Sequence, residues 1–111
     1  MHDTDSDCLT ITQPDPGRVV ALAGHLDVHA AADVRLALAD AVEGGDGDLV
    51  VDLAALEAID ATGLGVLVGA HRRASRTGRT LVLRDVTPAV GRVLFLTRLD
   101  RVLRTSRTRC A

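Results

Sequence analysis

The sequence contains no Lys, no Trp and no Tyr, and Phe95 is its single aromatic residue. Without lysine there is no Schiff-base chemistry and no lysine-dependent phosphate loop. One aromatic residue leaves almost no basis for a stacking platform that would hold single-stranded nucleic acid. Cys8 and Cys110 are the only cysteines. They are too few and too far apart for a disulfide scaffold or a zinc site, and read as two reduced thiols. No apolar run approaches the roughly 20 residues that cross a bilayer, and no basic-then-apolar leader opens the chain, so a cytoplasmic protein without membrane contact is expected. What remains is ordinary for one globular domain: 111 residues, 47% hydrophobic, 25% charged and a formal net charge of −2.

Residues 1–7 read as a flexible acidic tail, 8–105 as the domain and 106–111 as a short C-terminal tail. Cys8 to Gln13 and Arg18 to Gly24 are two short strands around the turn signal Pro14-Asp15-Pro16-Gly17, which makes a hairpin. His25 to Val28 reads as a connection. From Ala30 to Val42, Val34, Leu38 and Val42 recur every four residues and predict an amphipathic helix, which the glycines at 44, 45 and 47 end. Leu49 to Leu53 reads as a buried central strand and Ala54 to Ile59 as a connection. Leu64, Leu67, Val68 and His71 then predict a second helix to about Arg76, with Gly78 as its stop. Thr80 to Leu83 is a strand, and Thr87-Pro88 caps a third helix whose buried face is Val90, Val93, Leu94 and Thr97. Phe95 falls off that face and is expected to be exposed. Arg101 to Thr105 closes the order β-β-α-β-α-β-α-β. Strands alternating with helices predict a mainly parallel sheet with right-handed crossovers, made mixed by the first hairpin.

The stretch richest in chemistry is Val50 to Ala70, where a strand leads through a loop to a helix that opens at Asp60-Ala61-Thr62-Gly63-Leu64. Asp60 can accept hydrogen bonds from the free N–H groups of the first turn, and its charge suits the positive end of the helix dipole. The same arrangement presents a helix end that a partner could read.

Three stretches together resemble the STAS domain family, in its anti-sigma factor antagonist branch, over about Leu9 to Leu103. Gly24-His25-Leu26-Asp27 resembles that family's Gly-Glu-Leu-Asp motif. Ile59-Asp60-Ala61-Thr62-Gly63-Leu64-Gly65-Val66-Leu67 resembles its central Asp-Ser-Ser/Thr-Gly-Leu-Gly motif. Thr87-Pro88-Ala89-Val90, with Val93-Leu94 and Leu99-Asp100, resembles its closing helix and strand. The resemblance implies an α/β fold with a mixed four- to five-stranded sheet and helices packed mainly on one face. It implies a non-enzymatic protein that needs no cofactor, binds an anti-sigma factor with a histidine-kinase-like ATPase fold, and so frees a sigma factor. The implied docking surface is Asp27, Asp60, Ala61, Thr62, Gly63 and Leu64. In the family the anti-sigma factor phosphorylates the Ser directly after the motif aspartate, and the added charge releases the antagonist. Here that position is Ala61, which has no hydroxyl. The protein is then a constitutive antagonist, a degenerate member that binds without being switched, or one whose phospho-acceptor has moved to Thr62. A one-residue step turns the side chain by about 100°, which weighs against Thr62; a helix-capping role beside Asp60 is the simpler expectation for it.

Arg98 stands where the family commonly has glycine, and His25 where it often has Glu. The family's final helix is largely missing, which leaves self-association as a homodimer open. Two rival functions remain, an accessory subunit of a lipid-transport ATPase and a nucleotide or small-ligand sensor at the Asp60 helix end. Residues 1–60 hold two Arg against 13 carboxylates, whereas residues 61–111 hold eleven Arg against two. No nucleic-acid-binding motif accompanies the basic half, so complementary charge within one fold is the expectation. His25, Asp27 and His29 lack a fourth ligand for a metal, and His71 on the second helix reads as a half-buried, satisfied histidine.

Overall fold

A computed structural model describes residues 9–107; the tail expected at residues 1–7, and Cys8 and Cys110, lie outside the described residues. The chain runs β1 (Leu9–Asp15), β2 (Val19–Leu26), α1 (Ala31–Glu43), β3 (Leu49–Ile59), α2 (Ala61–Arg76), β4 (Leu81–Arg84), α3 (Pro88–Leu96), a 3-10 turn (Leu99–Arg101) and β5 (Arg104–Ser106). The five strands lie side by side in sequence order. β1 pairs antiparallel with β2, and the other three pairings are parallel. The expected mixed α/β sheet is thus the observed one.

The hairpin turn places Pro16 and Gly17 between Asp15 and Arg18, with the Arg18 N–H on the Asp15 carbonyl at 2.9 Å. Gly17 has φ +81°, a conformation open to glycine at little cost. A Cβ on Gly17 would also fall 2.6 Å from the Gly44 carbonyl oxygen, and one on Gly45 would fall 2.5 Å from that of Gly17. Two glycines therefore let the hairpin turn lie directly on the loop that follows α1.

Alternation along the parallel strands separates two faces. Val20 and Leu22 of β2, Leu49, Val51 and Leu53 of β3, and Leu81 and Leu83 of β4 are buried in one cluster with Val34, Leu38 and Val42 of α1 and Leu64 and Leu67 of α2. Of the interleaved positions, Val19, Ala21, Val50, Asp52 and Arg84 are only partly buried, while Val82 of β4 is buried. On that open face Arg84 and Asp52 pair at 2.9 Å. Helices thus cover one face of the sheet. The apolar stripe of α2 differs from the expected one. Val66, Ala70 and Ala74 are buried, while Val68 and His71 are partly buried, because α2 packs against α1 as well as against the sheet.

Three elements depart from the sequence expectation. Ala54 to Ile59 is not a connection but the second half of β3, and His25-Leu26 belongs to β2. The two extensions pair with each other, from Ala23 beside Ala55 to Leu26 beside Ile59. Neither carries the β-branched run that marks a strand, so backbone pairing to the neighbouring chain decides their state. β4 pairs with β3 only from Leu49 to Asp52, so the ribbon formed by β2 and β3 projects past it. The last strand begins at Arg104, not Arg101, because residues 99–101 form the 3-10 turn.

Arg79 lies before β4 and is 4% exposed. Its Nε donates to the Gly47 carbonyl (2.9 Å), and its Nη1 donates to those of Ala41 and Val42 (2.8 and 3.0 Å). Its Nη2 donates to the carbonyls of Gly17, Asp46 and Asp48 (2.6, 3.3 and 3.3 Å). A buried cation is tolerated only when its donors are met. Here carbonyls meet them, including two at the negative end of α1.

Arg79→Leu should lower unfolding free energy in urea by about 3 kcal/mol or more, since it leaves buried carbonyls unsatisfied. Arg79→Lys should recover only part of this, because an ammonium has three donors and no planar fork. Arg98 has φ +63°, where a Cβ is unfavourable. Arg98→Gly should therefore raise stability by about 0.5–1 kcal/mol, after the greater flexibility of glycine in the unfolded chain is offset.

Candidate interaction site at the start of α2

The projecting ends of β2 and β3 carry the residues that the sequence marked. β2 ends at Leu26, whose carbonyl accepts the Asp60 N–H at 3.2 Å. That bond brings the Asp27 turn beside the start of α2. Asp27 Oδ1 accepts the His29 N–H at 2.9 Å, and its carbonyl accepts the Ala30 N–H at 3.1 Å. This is the local turn that Asp side chains favour, and it holds the chain in place as it enters α1.

Asp60 is extended, with φ −109° and ψ −176°, and its side chain accepts the Gly63 N–H at 2.9 Å. Its carbonyl accepts the Leu64 N–H at 2.9 Å, which closes the first turn. Asp60 alone caps the helix by a side chain; Thr62 is exposed and makes no such bond, contrary to the capping role expected for it. Ala61 is exposed as well.

Gly63 and Leu64 face inward. Leu64 is 7% exposed and belongs to the core. A Cβ on Gly63 would lie 2.6 Å from the Leu26 carbonyl oxygen and 2.8 Å from Ile59 Cγ1. The close approach that Gly63 permits is therefore between α2 and the end of β2, inside the molecule. Of the six residues marked by sequence, Asp60, Ala61 and Thr62 are exposed and Asp27 is half-buried beside them, while Gly63 and Leu64 seat the helix beneath. Val28 was missed. It is 61% exposed and sits next to Asp27, an apolar side chain at the edge of a charged loop. Its only signal in the sequence was its place between Asp27 and His29.

The chemistry of this surface is acidic and apolar. Asp60 already occupies the first turn of α2, and no arginine lies between Arg35 and Arg72. A phosphate placed at this helix start would meet that carboxylate. His25 Nε2 lies 3.4 Å from Glu57 Oε1 along the projecting ribbon. His71, expected to be satisfied, has a buried Nδ1 without a hydrogen-bond partner among the described residues. The Thr87 hydroxyl donates to the Leu56 carbonyl at 3.0 Å and accepts the Val90 N–H at 3.4 Å, so the start of α3 is tied to the same ribbon. No helix of the described residues is long and apolar enough to cross a membrane.

Gly63→Val should destabilise the fold by about 1–3 kcal/mol, through the clash with backbone at Leu26, as read by thermal or urea unfolding. Asp60→Ala should cost about 1 kcal/mol through loss of the cap, whereas Asp60→Asn should cost little. A loss with Asn equal to that with Ala would show that charge, not capping, anchors the helix.

Comparison with known proteins was made against this geometry. A family model described as "Mlab, STAS domain" matches residues 9–105. The anti-sigma F factor antagonist of Paenibacillus polymyxa is 30% identical over 86 residues, covering 77% of this chain and 74% of that protein. The anti-sigma-B factor antagonist of Staphylococcus epidermidis is 30% identical over 94 residues, covering 85% and 86%. The crystal structure of an anti-sigma factor antagonist from Mycobacterium paratuberculosis superposes with a TM-score of 0.73 at 29% identity, covering 97% of this chain and 92% of the other.

Proposed function

The chain belongs to the STAS domain family, and from that membership we propose that it acts as an anti-sigma factor antagonist whose docking surface is the exposed start of α2. The observation that carries the reading is the Asp60 cap. A carboxylate held by Gly63 N–H stands exposed at a rigid helix start, with Ala61 and Thr62 following it and Asp27 and Val28 beside it. Such a surface needs no rearrangement to bind, so little ordering cost opposes association. The partner is an anti-sigma factor with a histidine-kinase-like ATPase fold, and its capture frees a sigma factor.

Ala61 gives the antagonist its distinctive regulation. The first helical position has a methyl group where phosphate would be attached, so the protein stays competent to bind and is controlled by its abundance. The exposed, unbonded Thr62 hydroxyl favours a second reading, in which the acceptor lies one position further on. It would require the kinase to reach a side chain turned by about 100° around the helix.

A pull-down from host lysate with the tagged protein should recover a kinase-fold anti-sigma factor. Asp60→Arg should abolish the capture, and Asp60→Asn should weaken it while leaving the fold intact. Recovery of a lipid-transport ATPase instead would assign the surface to an accessory subunit. With the purified partner and ATP, the wild-type chain should stay unmodified on intact-mass analysis, and Ala61→Ser should gain one phosphate and lose affinity. Stoichiometric phosphate on Thr62 of the wild type would replace the constitutive reading with the second one.

A further inference from the structure

β5 is an edge strand of the sheet, and the chain around it carries charge of nearly one sign. From Val86 to Arg107 there are five arginines, Arg92, Arg98, Arg101, Arg104 and Arg107, against one carboxylate, Asp100. All five arginines are exposed, and none enters an ion pair among the described residues. The preceding carboxylate in sequence, Asp85, lies past the far end of β4, where its N–H donates to the Ser106 carbonyl at 2.8 Å.

The same stretch holds uncovered apolar groups. Phe95 is 68% exposed and Leu96 70%, the highest values among the large apolar side chains described, and Val102 is exposed just after the 3-10 turn. Arg92 lies three and four residues before Phe95 and Leu96 on α3, so it shares their face of the helix. Phe95, Leu96, Arg98, Asp100 and Arg101 line a depression of about 340 Å³. Arg98 stands there with φ +63°, a conformation that costs a side chain energy and would cost glycine little. The fold therefore leaves protruding apolar side chains and unneutralised arginines together at one corner, where the end of α3 meets the start of β5.

We propose that this corner docks on the surface of an anionic phospholipid bilayer, with Phe95 and Leu96 entering it and Arg92, Arg98 and Arg101 on the headgroups. Two features commit the corner to that occupant. Its charge complements an anionic leaflet, which attracts each arginine held near the surface. Its apolar side chains protrude and do not enclose a space, so they suit the boundary between headgroups and acyl chains, where interfacial helices bury their apolar face. A bilayer supplies both environments in the order the corner presents them and needs no matching shape. The contact is peripheral, so the lack of a helix long and apolar enough to span does not bear on it. The corner lies where the parallel strands start, with Arg104 of β5 beside Val82 of β4, whereas Asp60 follows the last residue of β3. Docking therefore leaves the Asp60 loop on the side away from the bilayer, and the assignment does not depend on which partner that loop binds.

Flotation of the full chain with vesicles tests this, using phosphatidylcholine alone and phosphatidylcholine with about 30% phosphatidylglycerol, each at about 0.05 M and about 0.5 M salt. Binding to the phosphatidylglycerol vesicles is expected, tighter at low salt, with little to phosphatidylcholine. Arg98→Glu with Arg101→Glu should weaken it about tenfold or more. Phe95→Ser should weaken it about fivefold or more at both salt concentrations. Arg72→Glu, an equal charge reversal on the exposed face of α2, should change it less than about twofold. Circular dichroism should show each variant folded; Arg101→Glu alone replaces a double variant that is not. A wild type that does not float with anionic vesicles overturns the proposal, as does equal binding to phosphatidylcholine. So does an Arg72→Glu loss as large as that of Arg101→Glu, or a Phe95→Ser chain that binds like wild type, since either reduces the contact to diffuse charge attraction. A chain that ignores vesicles and instead associates with itself or with an acidic protein through Phe95 makes the corner a protein contact and likewise overturns it.

Discussion

One guanidinium group holds together the end of the sheet from which the parallel strands start. Arg79 reaches the last turn of α1, the glycine-rich loop that follows it and the hairpin turn at Gly17. The first two are contiguous and the hairpin turn is remote from them in sequence; together they offer six carbonyl oxygens, of which that of Ala41 also accepts the Gly44 N–H. A carboxylate would meet two or three of the five donors; a cage of carbonyls meets them all. The loop carries Asp46 and Asp48, yet among the described residues Arg79 pairs with neither side chain. The cage also sets where β3 begins, because Asp46, Gly47 and Asp48 lie directly before Leu49. The registers of β2 with β3 and of β3 with β4 both depend on that starting point.

At the opposite end the constraint is a close approach. Gly63 lies against the Leu26 carbonyl and Ile59, which brings the start of α2 down onto the projecting ribbon of β2 and β3. With that helix seated, Asp60 caps it and faces outward. The two ends thus divide the work. One is a cage that secures the crossover of α1, and the other is a preorganised helix start whose side chains remain available. Open parallel sheets place their binding groups beyond the carboxyl ends of the strands, and the Asp60 loop lies there. The starting ends carry the Arg79 cage and the uncovered Phe95 and Leu96.

Most of the architecture was legible in the sequence because it rests on local signals. The fourfold spacing of Val34, Leu38 and Val42, the Thr87-Pro88 start and the glycine punctuation each act within a few residues. So does the Asp60 cap, whose acceptor and donor are three residues apart. The order of strands and helices, and the exposure of Phe95, follow from the same periodicities. The motif around Asp60 marked a helix start and the absent hydroxyl at Ala61, since both are statements about residue identity. What the sequence could not reveal depends on groups far apart in the chain. Ala54 to Ile59 is a strand because β2 offers it a hydrogen-bonding edge. Leu64 is core because α2 lies against the sheet. Arg79 is buried because the hairpin turn and the end of α1 with its following loop converge on it, and in sequence it is one arginine among thirteen. Local backbone preference and side-chain period decided the elements. Long-range pairing and burial decided which of their residues stayed exposed.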